Sequence, residues 1–344
     1  MAKMKGLATG IGSLPYTDAD RALDLILRYV PRIPFWPQLP KRDMREGMVA
    51  QFSEHLPCLK ITRQGLIFDA QQKEKELEAF YERIINNDVD YFMLSEDFTC
   101  GLYRFIQRLE KLDLHDVEFI KGQITGPFTF AASIKDELQM ALLHDGVMMQ
   151  AIVKGLSMKA LWQINAFKKF KKKIILFIDE PYLGCFGSAY TPINREDVIR
   201  GLSELTQAVK SDDVLIGVHC CGNTDWSIFT DIPSINIINF DAFGFQDRFV
   251  LYAKNIQEFL ARGGIICWGI VPTQEFTGSE SAASLIDRIK QGIEQLAQKG
   301  VSRQLLSERL LISPSCGLGT LEPKKSEDIF KLLQETAFCL KQLA

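Results

Sequence analysis

The chain predicts an α/β fold, a (β/α)8 TIM barrel, on three observations. Short apolar runs rich in β-branched and aromatic residues recur eight times, each reading as a strand buried on both faces. Helical patterns fill most of the gaps, and parallel strands alternating with helices close into a barrel. Polar side chains stand at most of the eight strand ends, where such a barrel gathers its chemistry.

In chain order the expected strands are 6–12, 32–37, 117–124, 173–179, 214–219, 235–240, 264–270 and 309–314. After the first comes "DADRALDLILRYV" (18–30), apolar at helical spacing with Asp18 placed to cap it. Residues 38–116 are too many for one crossover helix. They hold "GLIFDA", a helical "QQKEKELEAFYERIINN" and "YFMLSEDF", and are expected to be an excursion that partly covers the barrel mouth. No composition shift sets them apart, so residues 1–344 read as one barrel domain. The run "KKFKKK" (168–173) ends a helix before the fourth strand. "TPINREDVIRGLSELTQAVK" opens on Thr191 as a capping candidate, and "SAASLIDRIKQGIEQLAQKG" (281–300) is a later helix of the same kind.

Composition narrows the function classes. The 344 residues are 47% apolar and 24% charged with net charge −3, an ordinary globular balance with no basic stripe for nucleic acid. The amino terminus shows no signal peptide, and no window nears the 18 uninterrupted apolar residues of a membrane span. A cytoplasmic protein is expected, its eight cysteines reduced and, where clustered, candidates for metal or catalysis.

The strand ends read "GIGSLP", "FWPQLP", "GQITGP", "FIDEP", "VHCCGN", "INFDAF", "WGIVPT" and "SPSCGLG". His219 and Cys221 are two apart, so on a strand they share a face while Cys220 points away. Asp241 one strand later and Cys316 three strands later complete an N, S, O, S donor set suited to tetrahedral zinc. Cys58, Cys185, Cys267 and Cys339 read as apolar filler. Two thiolates make zinc a poor activator of water but a good holder of a further thiolate. An incoming thiol on such a metal loses its proton at neutral pH, where a free thiol of pKa about 8.5 keeps it. That chemistry is alkyl transfer onto sulfur.

The ordered set "IGSLP", "KGQITGP", "IDEP", "VHCCGN", "WGIVPT" and "SPSCGLG" resembles the carboxy-terminal catalytic barrel of the cobalamin-independent methionine synthase family over most of the chain. The resemblance implies a homocysteine S-methyltransferase that gives methionine, with zinc on His219, Cys221 and Cys316 and with Asp241 standing where the family has a glutamate. It further implies that Asp179 receives the homocysteine ammonium, while Ser13 and the backbone of Ile11 and Gly12 take its carboxylate. The plainer role for Asp179 is a buried carboxylate pinning the "DEPY" loop.

Three departures bear on the donor. The family's synthases add an amino-terminal barrel that helps bind methyltetrahydrofolate, whereas this chain begins at the catalytic half. A glutamate that assists the amino group falls at Met44 in "RDMREGM", with Asp43 and Glu46 as substitutes. The family's proton-donor histidine has no counterpart in "WGIVPTQEF". The donor is thus methyltetrahydrofolate or a methyl-corrinoid such as methylcobalamin, whose cobalt leaves without a proton. "DLHDVE" (113–118) holds only the first part of a corrinoid-binding signature, so a corrinoid would come on another protein or from solution. Two other readings are a metal-free enzyme like uroporphyrinogen decarboxylase, for which only Arg21 is offered to grip propionates, and a non-catalytic zinc or thiol-binding partner of a corrinoid system.

Overall fold

The computed structural model describes residues 4–63, 65–188 and 193–342. Its strands are β1 (Leu7–Ala8), β2 (Leu59–Thr62), β3 (Gly65–Phe68), β4 (Phe119–Thr125), β5 (Lys173–Asp179), β6 (Val214–Cys220), β7 (Ile237–Asp241), β8 (Ile265–Val271) and β9 (Leu310–Pro314). β2 and β3 form an antiparallel hairpin, and the other seven make one sheet in the order β1-β9-β8-β7-β6-β5-β4. Every pairing in that sheet is parallel. The α/β class is as expected, and the curled sheet is consistent with a TIM-like barrel.

The expected second strand, 32–37, is not a ladder strand. "RIPFWPQLP" places proline at 34, 37 and 40, and proline has no N–H to give a ladder. The segment still bonds to both edges of the sheet. Lys121 N donates to Pro34 O (2.9 Å), while Gln38 N donates to Gly12 O (3.1 Å) and Leu14 N to Gln38 O (2.9 Å). Side chains supply the remaining ties: Gln123 Nε2 donates to Trp36 O (2.9 Å), Trp36 Nε1 to Gln163 Oε1 (2.8 Å) and Gln163 Nε2 to Gln123 O (3.1 Å). Gly122 makes this possible, because a Cβ there would stand 1.9 Å from Gln163 Oε1.

Alternation along the strands divides the apolar side chains into two cores. Leu7, Ile33, Phe119, Ile175, Ile237 and Leu311 pack together inside the curl of the sheet. The opposite faces, with Ile120, Leu176, Val218, Phe240 and Trp268, pack under the helices. Each such side chain contributes about 1.5–3 kcal/mol when fully buried.

The helix ends follow local chemistry. Asp18 caps Ala19–Tyr29, accepting from Asp20 N (2.8 Å), and Ser281 forms a capping box on Ala282–Gln298. Thr191 lies outside the described residues; the helix Arg195–Ala208 is capped by Asn194, which accepts from Glu196 N (2.9 Å). The lysine run straddles the end of the helix Gly146–Lys168 and the start of β5. Residues 38–116 hold the hairpin, the helices Lys73–Ile85 and Cys100–Leu109 and three short 3-10 turns. No helix among the described residues is long and apolar enough to cross a membrane.

Candidate metal and substrate site

β6 and β9 are three positions apart in the sheet, about 14 Å if it were flat. Yet the donor atoms of His219, Cys221 and Cys316 all lie within 4.8 Å of one another, so the curl brings the two strand ends together. Alternation sends Cys220 the other way into the apolar core, where burial pushes its thiol up to about 12. Zinc with bonds of about 2.0–2.3 Å sets tetrahedral donors about 3.5–3.8 Å apart, so small side-chain rotations close this set onto the ion.

The hydrogen bonds around His219 settle its tautomer. Asn239 Nδ2 donates to Cys267 O (3.0 Å) and Ser313 Oγ (2.9 Å), which fixes the amide's orientation. Its Oδ1, 2.5 Å from His219 Nδ1, therefore accepts, and His219 carries its proton on Nδ1. The Nε2 lone pair is left for the thiols or a metal, the arrangement that orients ligating histidines generally. The two thiols share one proton unequally. The hydrogen bond from Cys221 brings Cys316 well down against the opposing effect of burial, and His219 helps; Cys221 is pushed up in turn. Burial opposes charge on His219, but Cys316 and Asp179 outweigh it and raise its pKa. A thiolate hydrogen-bonded to an imidazole suits a thiophilic cation, which would take the place of the proton between them.

A cavity of about 390 Å³ opens onto this cluster, with Ile11, Ser13, Glu46 and Asp179 on its walls beside the three donors. Asp179 ends β5 and is 4% exposed, and its Oδ1 has no hydrogen-bond partner. Glu46 is fully buried; Arg42 holds one oxygen, while Oε2 has no partner. Burial pushes Asp179 up to about 6 against His219 and Lys121, and Glu46 up to about 7 against Arg42. Leaving such buried oxygens unpaired costs about 1–3 kcal/mol each, so this wall favours a cationic group. No arginine or lysine lines the cavity among its described residues. Arg21 is exposed on the first helix, where it gives no support to a propionate grip.

Ser13 faces the Cys316 loop: Leu318 N donates to Ser13 O (2.9 Å) and Gly319 N to Ser13 Oγ (3.3 Å). A Cβ on Gly317 would stand 2.3 Å from Ser13 Oγ, which explains the glycine after Cys316. Asp241 is not in the three-donor cluster. The helix Ala242–Phe249 starts directly after β7, and Asp241 Oδ1 caps it by accepting from Gly244 N (2.8 Å). The loop-pinning role belongs to Glu180 rather than Asp179: it accepts from Phe128 N (2.9 Å), Thr129 N (2.8 Å) and Thr129 Oγ1 (2.7 Å). Asn239 and Lys121 were not singled out from sequence. Their signal was a polar residue at an inward position of an apolar run, in "IINFD" and "FIKGQIT".

No family profile matches the chain. Over 202 residues it is 29% identical to a protein named methionine synthase from Methanocaldococcus jannaschii, a stretch covering 59% of each. The chain thus spans about three-fifths of the length of that curated relative. In fold it is similar to a B12-independent methionine synthase from a Shewanella species, solved in complex with selenomethionine, with TM-score 0.58, 16% identity and 98% of each chain covered.

Proposed function

We propose, from the chain's place among the cobalamin-independent methionine synthase-like proteins, that it transfers a methyl group to the sulfur of homocysteine and gives methionine. The observation that carries this reading is one cavity with a His, Cys, Cys donor set on one side and two cation-seeking carboxylates on another. Zinc on His219, Cys221 and Cys316 would supply the Lewis acidity that lets a thiol react as thiolate at neutral pH. Asp241 stands beside that set as a helix cap.

The chain's own residues hold the amino-acid end. The unpartnered oxygens of Asp179 and Glu46 receive the ammonium, and the ion pair keeps both carboxyls charged. Glu46 takes this role rather than Met44, which is 46% exposed, or Asp43, which is engaged by Arg45 Nη2 (2.9 Å). Ser13 with the backbone of Ile11 and Gly12 receives the carboxylate. Pro40, Met48 and Pro181 add apolar surface to the cavity wall.

A methyl-corrinoid, carried by a partner protein or taken from solution, is the donor in preference to methyltetrahydrofolate. His219 is the histidine on the described cavity wall and is engaged, leaving no free imidazole to protonate a folate leaving group. Residues 1–344 act as one catalytic unit, with 38–116 covering part of the mouth; Gln38, Pro40, Glu46 and Met48 on the cavity wall support this. The cytoplasm is the setting that suits its eight free cysteines.

The test is methyl transfer from methylcobalamin to homocysteine by the zinc-loaded protein, followed by the corrinoid spectrum and by methionine formation. Turnover above the protein-free control, lost in Cys221→Ser, is expected. No turnover from either methylcobalamin or methyltetrahydrofolate, in a sample of verified zinc content, would overturn the reading and leave a non-catalytic binding role.

A further inference from the structure

We infer that Lys121, buried inside the curl of the sheet, is a positioning residue that sets the Ile11–Ser13 turn against the amino-acid end of the substrate by holding the Ile11 carbonyl. The inference rests on the homocysteine reading above and adds a residue to it.

Lys121 sits on β4 between the inward-facing Phe119 and Gln123 and has no exposed surface. Barrel interiors are ordinarily filled by branched apolar side chains, and desolvating an ammonium costs several kcal/mol even after relaxation. A methionine would fill the same length without that cost, so the cation needs an account. Its contacts supply one. Nζ donates to Ile11 O at 2.6 Å and to Gln123 Oε1 at 3.2 Å, and it stands 4.5 Å from the Phe177 ring centroid and 5.5 Å from that of Phe35. The shortest of these is a charge-assisted bond to a backbone carbonyl on the cavity wall.

The geometry of the peptide unit carries the effect to the substrate. No cis peptide occurs among the described residues, and in a trans unit the C=O and the following N–H point in opposite directions. Drawing the Ile11 carbonyl toward Lys121 therefore turns the Gly12 N–H away from Lys121. β4 and β5 pair Lys121 with Ile175, four residues and about 13 Å below the Thr125 and Asp179 pair at the cavity, so Lys121 holds this peptide unit from the side away from the mouth. The same bond keeps the negative pole of Ile11 turned from an incoming carboxylate. Burial brings the Lys121 ammonium down to about 8, with Asp179 and Cys267 acting the other way, so it remains charged near neutral pH.

The test compares Lys121→Met with the wild type, both zinc-loaded, by calorimetric binding of L-homocysteine and of 1-propanethiol, which lacks the amino-acid end. The variant is expected to retain zinc, bind propanethiol within about twofold of wild type and bind homocysteine roughly 10–100-fold more weakly, the size of a lost charge-assisted bond. With methyl donor present, KM for homocysteine rises while kcat is held. An unchanged preference for homocysteine over propanethiol would overturn the inference, as would equal losses for both thiols. If Lys121→Met does not fold, Lys121→Gln, which keeps an uncharged donor, is read by the same comparison and should lose part of the preference. A wild type that does not prefer homocysteine would instead sink the functional reading on which this rests.

Discussion

Replacing Asn239 by leucine tests how the imidazole of the donor set is held. The side chains are similar in size, so the change removes hydrogen bonds more than volume: the one at 2.5 Å to His219 Nδ1, the one at 3.0 Å to Cys267 O and the one at 2.9 Å to Ser313 Oγ. Ser313 Oγ keeps its own bond to Pro314 O (2.9 Å) and the Cys267 carbonyl belongs to the β8 ladder between β7 and β9, which leaves His219 Nδ1–H stranded in a buried place. One stranded group puts the stability loss at roughly 1–3 kcal/mol. Freed from its acceptor, the ring can turn or shift its proton to Nε2, and losses of about 10–100-fold in metal affinity are typical of such changes. The assay is zinc competition against a chromophoric chelator on protein shown to be folded by its thermal transition. Asn239→Asp keeps the acceptor and should hold zinc more tightly than the leucine variant. A folded Asn239→Leu protein with wild-type zinc affinity would refute the reasoning, because His219 would then not be presented through its Nδ1 bond.

Neighbouring cysteines should separate cleanly: Cys316→Ser loses most of the bound zinc by elemental analysis, whereas Cys220→Ser keeps it and loses roughly 1–2 kcal/mol in a denaturant titration from the buried hydroxyl. Asp241→Asn preserves an oxygen for Gly244 N and should leave zinc affinity within about tenfold, while Asp241→Ala also costs about 0.5–2 kcal/mol of stability through the lost cap. Glu46, raised from 4.5 to about 7 by burial, binds its proton more tightly folded than unfolded. The stability from that proton is therefore full below about 4.5 and is lost as pH rises to about 7. Glu46→Gln should accordingly raise Tm over wild type at pH 8 and not at pH 4, and weaken homocysteine binding at pH 8.

Much of this was legible locally. β4 to β9 lie within two residues of the apolar runs that announced them, because strands buried on both faces must be apolar throughout. Asp18 and Ser281 cap through their own first turns, and the two-residue spacing of His219 and Cys221 places both on one face. What was not legible depends on distant partners. Residues 32–37 read as a strand because their apolar content says so, but prolines break the ladder and Gln123 and Gln163 hold the segment from elsewhere in the chain. In "DEP" either acidic side chain could face the cavity, and only the docking of residues 127–132 against Glu180 shows which does. Asp241 stands at the right strand end, yet a helix beginning at the next residue takes one of its oxygens as a cap and it lies outside the three-donor cluster. Glu46 was one of two substitutes for a glutamate, and only the fold brings its buried carboxylate to the cavity wall.

The central claim is that His219, Cys221 and Cys316 hold zinc which in turn takes the homocysteine sulfur. Zinc K-edge X-ray absorption on the zinc-loaded protein, with and without homocysteine, tests it most directly. The account expects one nitrogen and two sulfurs from the protein, and a further sulfur when homocysteine is added. An unchanged sulfur count on adding homocysteine, or a shell without protein sulfur, would contradict it.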